Sequence, residues 1–408
     1  MNSRKISVIG LGYIGLPTAA LLASNGYKVV GMDVNSEVVE TINQGKIHIV
    51  EPDLDAFVRS AVSNGMLRAY TEPQEGDVYL ICVPTPFHKL SGVPLPNIDY
   101  VISAVKSIAK YLKSNDLVIL ESTSPVGTTK KVQKVLIDEG VDVRKIHIAY
   151  CPERVLPGKI MTELVENDRI VGGLTSEATK KVSDFYRTFV CGEVIETSAK
   201  TAEMCKLTEN SFRDVNIAFA NELSLLCAED SIDVWELIKL ANRHPRVNIL
   251  EPGAGVGGHC IAVDPWFIVS RDEKNAKLIK TAREVNSFKT KWVTEQIQLS
   301  VADRNAQIGV KPTIIVFGLA FKPDIDDLRE SPALEIAEIL ANQGYEVKAV
   351  EPNIESHKKL KIISINDIDW KNSVCAVLVR HKEFKSKDVK KLLADNNALD
   401  FCGALSRP

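Results

Sequence analysis

Short apolar segments alternate with amphipathic segments near both ends of the chain. The apolar segments predict strands at residues 6–9, 29–32, 78–83, 117–121 and 146–150, and again at 313–317, 347–350 and 374–378. The segments between them have helical periodicity. Strand and helix in turn are typical of a parallel sheet covered by helices on both faces, so the sequence predicts an α/β fold.

The middle of the chain has a different character. From residue 200 to about 230 the strands stop, and apolar side chains recur at spacings of three and four: Met204, Leu207, Phe212, Val215, Phe219, Leu223 and Leu226. This pattern predicts one long helix, and its large apolar side chains predict that the helix is largely buried.

Composition restricts the possible partners. The 408 residues carry 50 Lys and Arg against 53 Asp and Glu, a net charge of −3, so no overall positive field attracts nucleic acid or an anionic membrane. No uninterrupted run of about 18 apolar residues predicts a membrane span. Eight cysteines without a CxxC pair favour reduced thiols and a cytoplasmic location. Any anionic ligand must therefore be bound by local groups.

A glycine motif follows the first predicted strand and reads Gly10-Leu11-Gly12-Tyr13-Ile14-Gly15. In this position the first glycine permits a tight turn, the second lets the backbone approach a pyrophosphate, and the third allows close packing. The N-terminus of the following helix attracts the anion. Asp33 ends the second strand, where a carboxylate binds ribose hydroxyls and repels a 2′-phosphate. We therefore predict a Rossmann-like domain that binds NAD rather than NADP.

The C-terminal region repeats part of this pattern. Residues 313–323 and 343–353 again predict a strand, a glycine-containing turn, a helix and a second strand that ends in an acidic residue, Glu351. Only Gly318 of the motif remains, so we expect no second dinucleotide there. The predicted organisation is two Rossmann-like parallel-sheet domains, residues 1–197 and 306–408, joined by a central helical domain at 198–305.

A second glycine-rich segment ends in a cysteine. Residues 251–260 read EPGAGVGGHC, and such a loop can point backbone N–H groups at an anion or oxyanion. Cys260 lies next to His259 and shortly before Asp264, which favours a covalent nucleophile over an inert thiol.

Lys206 and Asn210 are four residues apart, so they share a face of the long predicted helix. A solvated charged face is the usual explanation of such a pair. A lysine that burial brings towards neutrality could instead exchange a proton with an alcohol.

Three polar segments follow other predicted strands: CVPTP at 82–86, ESTSPVG at 121–127 and CPER at 151–154. The carboxyl ends of parallel strands carry the ligand-binding loops of an open sheet. Thr85 and Thr123 offer hydroxyls to a cofactor or a bound water, and Glu153 and Arg154 offer a carboxylate and a guanidinium. Ordinary proline-containing turns with solvated charges are the alternative.

Together these segments resemble the UDP-glucose/GDP-mannose dehydrogenase family over essentially the whole chain. The resemblance is carried by GLGYIGLP, VPTP, ESTSPVG, AYCPERVLPG, AEMCKLTENSFRDVNIAFANE, GVGGHCIAVDP and FGLAFKPDIDDLRES. The central blocks are most similar to the bacterial branch that acts on UDP-N-acetyl-D-mannosamine. The resemblance implies a four-electron oxidation of a sugar C6 alcohol by two NAD in turn, giving a uronate for surface polysaccharide.

The resemblance also implies catalytic roles. Cys260 would capture the intermediate aldehyde as a thiohemiacetal, which is oxidised to a thioester and then hydrolysed. Lys206 would exchange a proton or stabilise an oxyanion, Asn210 would orient the C6 oxygen, and Asp264 would assist proton transfer. No metal is implied.

Binding roles follow from the same resemblance. Thr123 and Glu153 would hold or activate the hydrolytic water. The residues expected to line the UDP-sugar site are Arg154, Val155, Lys206, Asn210, Arg213, Gly257 and Lys322. His244 and Arg246 would reach the site across a homodimer interface. Arg329 is assigned to the cofactor, with the substrate as the alternative.

One position departs from the pattern of the UDP-glucose enzymes. They usually carry aromatic residues in the glycine loop and before the cysteine, where this chain has Val256 and His259. This favours a 2-acetamido sugar but leaves UDP-N-acetylglucosamine or another UDP-sugar open. A two-electron β-hydroxyacid-type dehydrogenase would leave Cys260 and the C-terminal domain unexplained. A nucleotide-sugar sensor without turnover is the third alternative.

Overall fold

The structure is a computed structural model that describes residues 4–88 and 92–405. The chain divides into two compact units, residues 1–209 and 210–408. The elements of the first unit are β1 (Lys5–Ile9), α1 (Gly15–Ser24), β2 (Lys28–Met32), α2 (Ser36–Asn43), α3 (Leu54–Ser63), β3 (Leu67–Tyr70), β4 (Val78–Ile81), β5 (Phe87–His88), β6 (Leu95–Pro96), α4 (Asp99–Ala109), β7 (Leu117–Leu120), α5 (Thr128–Asp138), β8 (His147–Tyr150), α6 (Ile160–Glu166), β9 (Arg169–Gly173), α7 (Ser176–Tyr186), β10 (Val194–Ser198) and α8 (Ala199–Glu229), which continues into the second unit.

The second unit contains the remaining helices and a smaller sheet. Its elements are α9 (Val234–Ala241), α10 (Asp264–Arg271), α11 (Lys277–Ile308), β11 (Thr313–Phe317), α12 (Pro332–Asn342), β12 (Val347–Val350), β13 (Lys361–Ile362), β14 (Ser373–Val377), α13 (Lys387–Asp395) and β15 (Leu399–Asp400). Three short 3₁₀ helices lie at Ile365–Asp367, Trp370–Asn372 and Lys382–Lys385.

Eight strands of the first unit form one sheet in the order β10-β9-β8-β7-β4-β1-β2-β3. Neighbouring strands are parallel except β8 and β9, which are antiparallel. β1 lies between β2 and β4, so the chain first builds outwards on one side of β1 and then on the other. This switch point is where open α/β sheets bind ligands, beyond the carboxyl ends of the strands.

Helices cover both faces of this sheet. Ile6 and Val8 of β1 pack in one apolar cluster with α1 and α3, whereas Ile9 packs on the other face in a cluster with α4 and α5. The central strands β4 and β7 are buried along their whole length, as their uninterrupted apolar sequences require. The predicted α/β class is therefore confirmed.

The sheet of the second unit has five strands in the order β13-β12-β11-β14-β15, all parallel. β11 is its centre, with Ile314 and Val316 facing a cluster that contains α12 and part of α11. The predicted strands of this region are confirmed, and the two-residue strands β13 and β15 extend the sheet on either side.

The long helix α8 spans the predicted residues, but the expectation that it is largely buried is wrong for its largest side chains. Phe212 is 67% exposed, Phe219 is 52% exposed and Leu226 is 54% exposed. These three residues recur every seven positions, so they form one apolar stripe on the helix surface. Periodicity identifies which residues share a face, but it does not show what covers that face.

Among the described residues, no helix is both long enough and apolar enough to cross a bilayer. All eight cysteines lie within the described residues, and none forms a disulfide.

Candidate active site

The glycine motif forms the turn between β1 and α1. Gly10 has a φ of +91°, and a Cβ on it would lie 2.8 Å from the carbonyl oxygen of Cys82. A Cβ on Gly15 would overlap the carbonyl of Gly10. A Cβ on Gly12, in contrast, would meet no described atom within 4 Å. The first and third glycines are therefore required by packing, whereas the second leaves the backbone open to a ligand, as a pyrophosphate requires.

Asp33 is fixed at the end of β2 by backbone groups. One carboxylate oxygen accepts a hydrogen bond from the Leu11 N–H (3.0 Å) and the other from the Asn35 N–H (3.0 Å). Each oxygen keeps a second lone pair for a ribose hydroxyl. Tyr13 and Ile14 lie half-buried where the turn enters α1. Ile14 is the N-cap residue, and its apolar side chain cannot accept a hydrogen bond from the first turn of the helix. These residues fit NAD.

The segments that follow β4 and β7 meet beside this turn. The Thr85 hydroxyl donates a hydrogen bond to the Thr123 carbonyl oxygen (2.6 Å), so Thr85 ties the two segments together. Thr123 is half-buried at the same edge of the sheet.

Glu153 forms a buried ion pair that the sequence did not indicate. Its carboxylate accepts hydrogen bonds from the Arg154 N–H (2.7 Å) and from the Arg169 guanidinium (2.5 Å). The side chains of Glu153 and Arg169 are only 4% and 2% exposed. Burial opposes the charge of Arg169, but the neighbouring Glu153 carboxylate raises the pKa of Arg169 above its ordinary value.

The reversed direction of β9 explains how Arg169 reaches Glu153. In the antiparallel pairing, the last residues of β9, Gly172 and Gly173, lie opposite the last residues of β8. The first residue of β9, Arg169, therefore extends past the carboxyl end of β8, towards the CPER segment. Because the direction of β9 is set by its pairing with β8, the sequence alone offered no signal for this partner.

Glu121 is a second buried carboxyl group beside this pair. It accepts hydrogen bonds from the Tyr186 hydroxyl (2.6 Å) and from the Cys82 thiol (3.1 Å). Burial and the charge of Glu153 raise the pKa of Glu121. Burial and Glu121 in turn raise the pKa of the Cys82 thiol well above its ordinary value, which agrees with an unreactive thiol.

Arg154 and Val155 follow Glu153 at the same edge. Arg154 forms an ion pair with Glu209 (2.7 Å) and donates to the Asp168 carbonyl oxygen (3.2 Å). Val155 is half-buried against the apolar cluster of α1 and α3. Part of the Arg154 charge is therefore already balanced within the unit.

Lys206 lies half-buried on α8. Phe212 and Phe219, from which burial of this helix was expected, are exposed. Glu203, one turn earlier, is fully buried and accepts hydrogen bonds from the N–H groups of Gly127 (2.6 Å) and Thr129 (2.7 Å). Glu203 thus caps the N-terminus of α5.

The second unit brings Asn210, Asp264 and Cys260 together. The Asn210 amide donates a hydrogen bond to the Asp264 carboxylate (2.5 Å), and both side chains are buried. The Cys260 carbonyl oxygen accepts hydrogen bonds from the N–H groups of Asp264 (2.8 Å) and Val263 (3.1 Å), which forms the tight turn before α10. The Cys260 residue itself is exposed.

The glycines before Cys260 are required mainly by contacts within the protein. A Cβ on Gly258, whose φ is +85°, would lie 2.9 Å from the Phe321 ring, and a Cβ on Gly257 would overlap the Glu330 carbonyl oxygen. The backbone of this loop therefore approaches the segment after β11 closely.

The remaining predicted substrate residues lie on exposed surface. Arg213 projects from α8, Lys322 follows β11, and His244 and Arg246 lie in the turns after α9, where the Arg246 N–H donates to His244 Nδ1 (3.3 Å). Arg329 points its guanidinium at Asp327, with Nη2 2.7 Å from a carboxylate oxygen. Partial burial opposes ionisation of Asp327, but hydrogen bonds from Arg329 outweigh it and lower the pKa of Asp327.

A cavity of about 440 Å³ opens at the carboxyl ends of β14 and β15. Its lining contains four cationic side chains and one tryptophan: Trp235, Ile238, Lys239, Asn242, Ile249, Glu251, Arg380, Lys385, Lys390, Gly403 and Ala404. Arg380 forms an ion pair with Glu251. Arg380 was not predicted as a site residue, although it follows a predicted strand as Arg154 does.

Glu351 occupies the position in the second sheet that Asp33 occupies in the first. It accepts a hydrogen bond from the Leu319 N–H (2.7 Å), just as Asp33 accepts one from Leu11. Glu351 is buried and also contacts the buried His381 (3.1 Å). Its carboxylate is thus engaged by protein groups, which supports the expectation that this half holds no dinucleotide.

Comparison with known proteins finds family models and relatives that span most of the chain. Models of the NAD-binding, central and UDP-binding domains of the UDP-glucose/GDP-mannose dehydrogenase family match residues 4–190, 200–288 and 315–407. The UDP-N-acetyl-D-mannosamine dehydrogenase of Escherichia coli K12 is 55% identical over 94% of this chain and 95% of its own. An NDP-N-acetyl-D-galactosaminuronic acid dehydrogenase of Ralstonia nicotianae is 51% identical over 96% of this chain and 94% of its own.

Solved structures give a consistent result. The UDP-D-ManNAc dehydrogenase of Pyrococcus horikoshii is 38% identical, with a TM-score of 0.88 over 99% of this chain and 96% of the other.

Proposed function

Since the chain belongs to the UDP-glucose/GDP-mannose dehydrogenase family and is an NAD-dependent nucleotide-sugar dehydrogenase, we propose that it oxidises UDP-N-acetyl-D-mannosamine to UDP-N-acetyl-D-mannosaminuronate. The named activity of the 55% identical E. coli relative supports this sugar. The observation that carries the chemistry is the buried Asn210–Asp264 pair beside the exposed Cys260.

The proposed reaction removes four electrons from C6. NAD, when bound, accepts a hydride from C6 in each of two oxidations, so the sugar alcohol and one water give a carboxylate, two NADH and three protons. Lys206 takes the alcohol proton in the first oxidation, which leaves an aldehyde. The Cys260 sulfur then bonds to C6 as the thiol proton moves to the aldehyde oxygen.

Cys260 keeps the half-oxidised sugar attached to the protein. Loss of the second hydride and the hydroxyl proton converts the thiohemiacetal into a thioester. Water then attacks C6, the C–S bond breaks, and the thiol and the free carboxylate result. A covalent intermediate of this kind explains why a four-electron oxidation needs a cysteine that a two-electron dehydrogenase does not.

The Asn210–Asp264 pair supports roles for both residues. Hydrogen bonding to the Asp264 carboxylate holds the Asn210 amide in one orientation, so its second N–H can donate to the C6 oxygen. Asp264 itself assists proton transfer at the Cys260 turn.

Glu153 and Thr123 are proposed to orient the hydrolytic water. Glu153 already accepts two hydrogen bonds from Arg154 and Arg169, and a carboxylate has about four acceptor positions, so it can accept another from water. With Arg169 at 2.5 Å as a counter-ion, it is suited to orienting water as an anion.

The UDP group is proposed to bind at the carboxyl edge of the sheet formed by β11 to β15. The cationic cavity there suits a pyrophosphate. Side chains proposed to contact the substrate are Arg154, Val155, Lys206, Asn210, Arg213, Gly257 and Lys322, with Arg329 beside the cofactor.

The proposed organisation is three domains, at 1–197, 198–305 and 306–408, in a cytoplasmic homodimer to which His244 and Arg246 contribute across the interface. The exposed stripe of Phe212, Phe219 and Leu226 supports such an interface.

One experiment tests substrate and mechanism together. Purified protein is supplied with NAD and, separately, UDP-N-acetylmannosamine, UDP-N-acetylglucosamine, UDP-N-acetylgalactosamine or UDP-glucose, and NADH is counted per sugar consumed. We expect two NADH per UDP-N-acetylmannosamine and the highest kcat/KM with that sugar. A faster reaction with the galacto sugar would transfer the proposal to the activity of the Ralstonia relative.

The same assay with Cys260→Ala tests the thioester. This variant is expected to bind UDP-sugar and NAD but to form no uronate, and Cys260→Ser should also fail. Complete four-electron turnover by Cys260→Ala would eliminate the covalent mechanism, and one NADH per product in the wild type would favour a two-electron dehydrogenase.

A further inference from the structure

A chain of buried polar side chains ends at the glycine loop before Cys260. Arg283 of α11 donates to the Asp214 carboxylate of α8 (2.6 Å), and Asn286 donates to the same oxygen (2.8 Å). The Asn221 amide then donates to the Asn286 side-chain oxygen (2.8 Å). Each of these four side chains is buried, with at most 5% of the residue exposed. Because every link fixes the orientation of the next, the Asn221 side chain has one arrangement.

The last link is to the loop itself. The Asn221 oxygen accepts a hydrogen bond from the Gly253 N–H (2.9 Å). The next peptide is held from α11, where the Thr290 hydroxyl donates to the Ala254 carbonyl oxygen (3.2 Å). Two consecutive residues of the loop are thus fixed by two helices, one through its N–H and the other through its C=O.

The loop beyond these ties has little freedom to move. Gly255 lies so close to Thr290 that a Cβ would overlap the Thr290 hydroxyl, and Gly258 packs on the Phe321 ring. Cys260 follows two residues later, in the turn closed by the Asp264 N–H. A displacement at Gly253 or Ala254 is therefore transmitted to the position of Cys260.

We propose that Asn221 and Thr290 are positioning residues that set the place of Cys260 by holding the loop at Gly253 and Ala254. The proposal rests on the proposed function, in which Cys260 is the nucleophile. It assigns a role to the FRDVNIAFANE block that substrate contacts do not explain, since Asp214 and Asn221 face α11. A misplacement of about 1 Å in a reacting group can cost about 10²-fold in rate.

Two threonines on α11 provide a matched test. Thr290 and Thr294 are both buried and lie one turn apart, but the Thr294 hydroxyl donates to the Thr290 carbonyl oxygen of its own helix (2.9 Å). Thr290→Val and Thr294→Val remove the same hydroxyl without changing side-chain size. Of the two, only Thr290→Val loses a hydrogen bond to the loop, the one to the Ala254 carbonyl oxygen. Asn221→Ala removes the other hydrogen bond, the one from the Gly253 N–H.

Two measurements are made on each variant: kcat and KM with UDP-N-acetylmannosamine, and the rate at which iodoacetamide alkylates Cys260, followed by mass spectrometry. Thr290→Val and Asn221→Ala should lower kcat by about 10- to 100-fold with little change in KM. They should also change the alkylation rate of Cys260, whereas Thr294→Val should leave all three quantities unchanged. The double variant Asn221→Ala/Asn286→Ala should be no slower than Asn221→Ala alone, because both act through one chain.

The alkylation rate separates failure of this inference from failure of the proposed function. Folded Thr290→Val with wild-type kcat and wild-type Cys260 alkylation would overturn the inference, even if Asn221→Ala failed to fold. Altered alkylation with unchanged kcat would show that the ties position Cys260 and that Cys260 is not the nucleophile.

Discussion

The ammonium group of Lys289 is buried without a carboxylate within ion-pair distance among the described residues. Lys289 is 2% exposed. Its Nζ lies 2.7 Å from the Ser224 hydroxyl oxygen and 4.2 Å from the centre of the Trp292 ring. Burial lowers the pKa of Lys289 from 10.5 to about 7. A hydroxyl and an aromatic face compensate only partly for the lost hydration of a charge.

Lys289 should therefore make stability depend on pH. Below pH 7 the amine is protonated in both states, and the native state bears the full cost of a buried charge. Between pH 7 and 10.5 the native amine is neutral while the unfolded one is still charged, so this cost falls as pH rises and disappears above 10.5. Lys289→Met should raise the free energy of unfolding by a few kcal/mol below pH 7. Each pH unit between the native and the unfolded pKa of Lys289 contributes roughly 1.4 kcal/mol to this gain.

Urea unfolding at several pH values checks this prediction. The gain from Lys289→Met should shrink steadily from pH 7 towards 10.5. Lys291→Met, an exposed lysine on the same helix, should change stability little at any pH. A gain of equal size across the whole range would contradict protonation as the cause.

Single residues also show the limit of sequence reasoning at this scale. Asp33, Asn210 and Asp264 could be proposed as site residues from the sequence, because their positions at a strand end or a helix terminus or face follow from the local pattern. Lys289 and Arg169 were not, because their burial depends on elements distant in sequence. Burial of a lysine was predicted at Lys206, whereas Lys289 on α11 is the more deeply buried of the two.

Among the elements, α5 depends on a residue far away in the sequence. Glu203 accepts hydrogen bonds from the Gly127 N–H, the Thr129 N–H and the Thr129 hydroxyl (2.6–2.7 Å), so it supplies the N-cap of α5 from α8. A buried carboxylate at a helix N-terminus also interacts favourably with the helix dipole. The segment it anchors begins directly after ESTSPVG.

Replacing Glu203 by Gln should destabilise the protein by about 1–3 kcal/mol, because one amide oxygen cannot replace both carboxylate oxygens and a buried N–H loses its acceptor. Thr175→Ala removes a local cap, in which the Thr175 hydroxyl accepts from the Ala178 N–H (3.1 Å), and should cost less, about 1 kcal/mol. Chemical denaturation of the two variants makes the comparison. Equal losses would indicate that burial and charge add nothing to the Glu203 cap.

The accuracy of strand prediction followed the apolar character of each segment. The strands predicted from apolar runs were found, because β4 and β7 are buried on both faces. β9 and β10 were missed, since RIVGG and VIETS interrupt their apolar residues with polar residues and glycine. The antiparallel direction of β9 could not be predicted, because strand direction is set by pairing rather than by composition.

At the scale of the whole molecule, the apolar stripe on α8 has testable consequences. Phe219 is 52% exposed at the centre of the stripe, and a homodimer through α8 would bury it. Phe219→Glu should then convert the dimer into a monomer, as measured by light scattering after size-exclusion chromatography. Activity should fall at the same time, because His244 and Arg246 are proposed to complete the partner's site.

Ile137→Glu is a suitable control for this experiment. Ile137 is also 52% exposed but lies on helix α5 rather than on α8, so a charge there should leave the mass and the activity unchanged. A dimeric Phe219→Glu variant would exclude the stripe as the interface. A monomeric variant with full activity would exclude the contribution of His244 and Arg246.

Each of the two sheets has an equivalent hydrogen bond at the turn after its first strand, and this bond bears on redesign of the cofactor preference. Asp33 and Glu351 each accept the N–H of the residue that follows the first glycine of a turn, and Glu351 does so with its carboxylate engaged by protein groups. The bond is therefore part of the turn's architecture, whatever part Asp33 plays in the predicted recognition of ribose. An engineer who replaces Asp33 to admit NADP would also release an anchor of the phosphate-binding turn, so a compensating donor or acceptor should be designed with the switch.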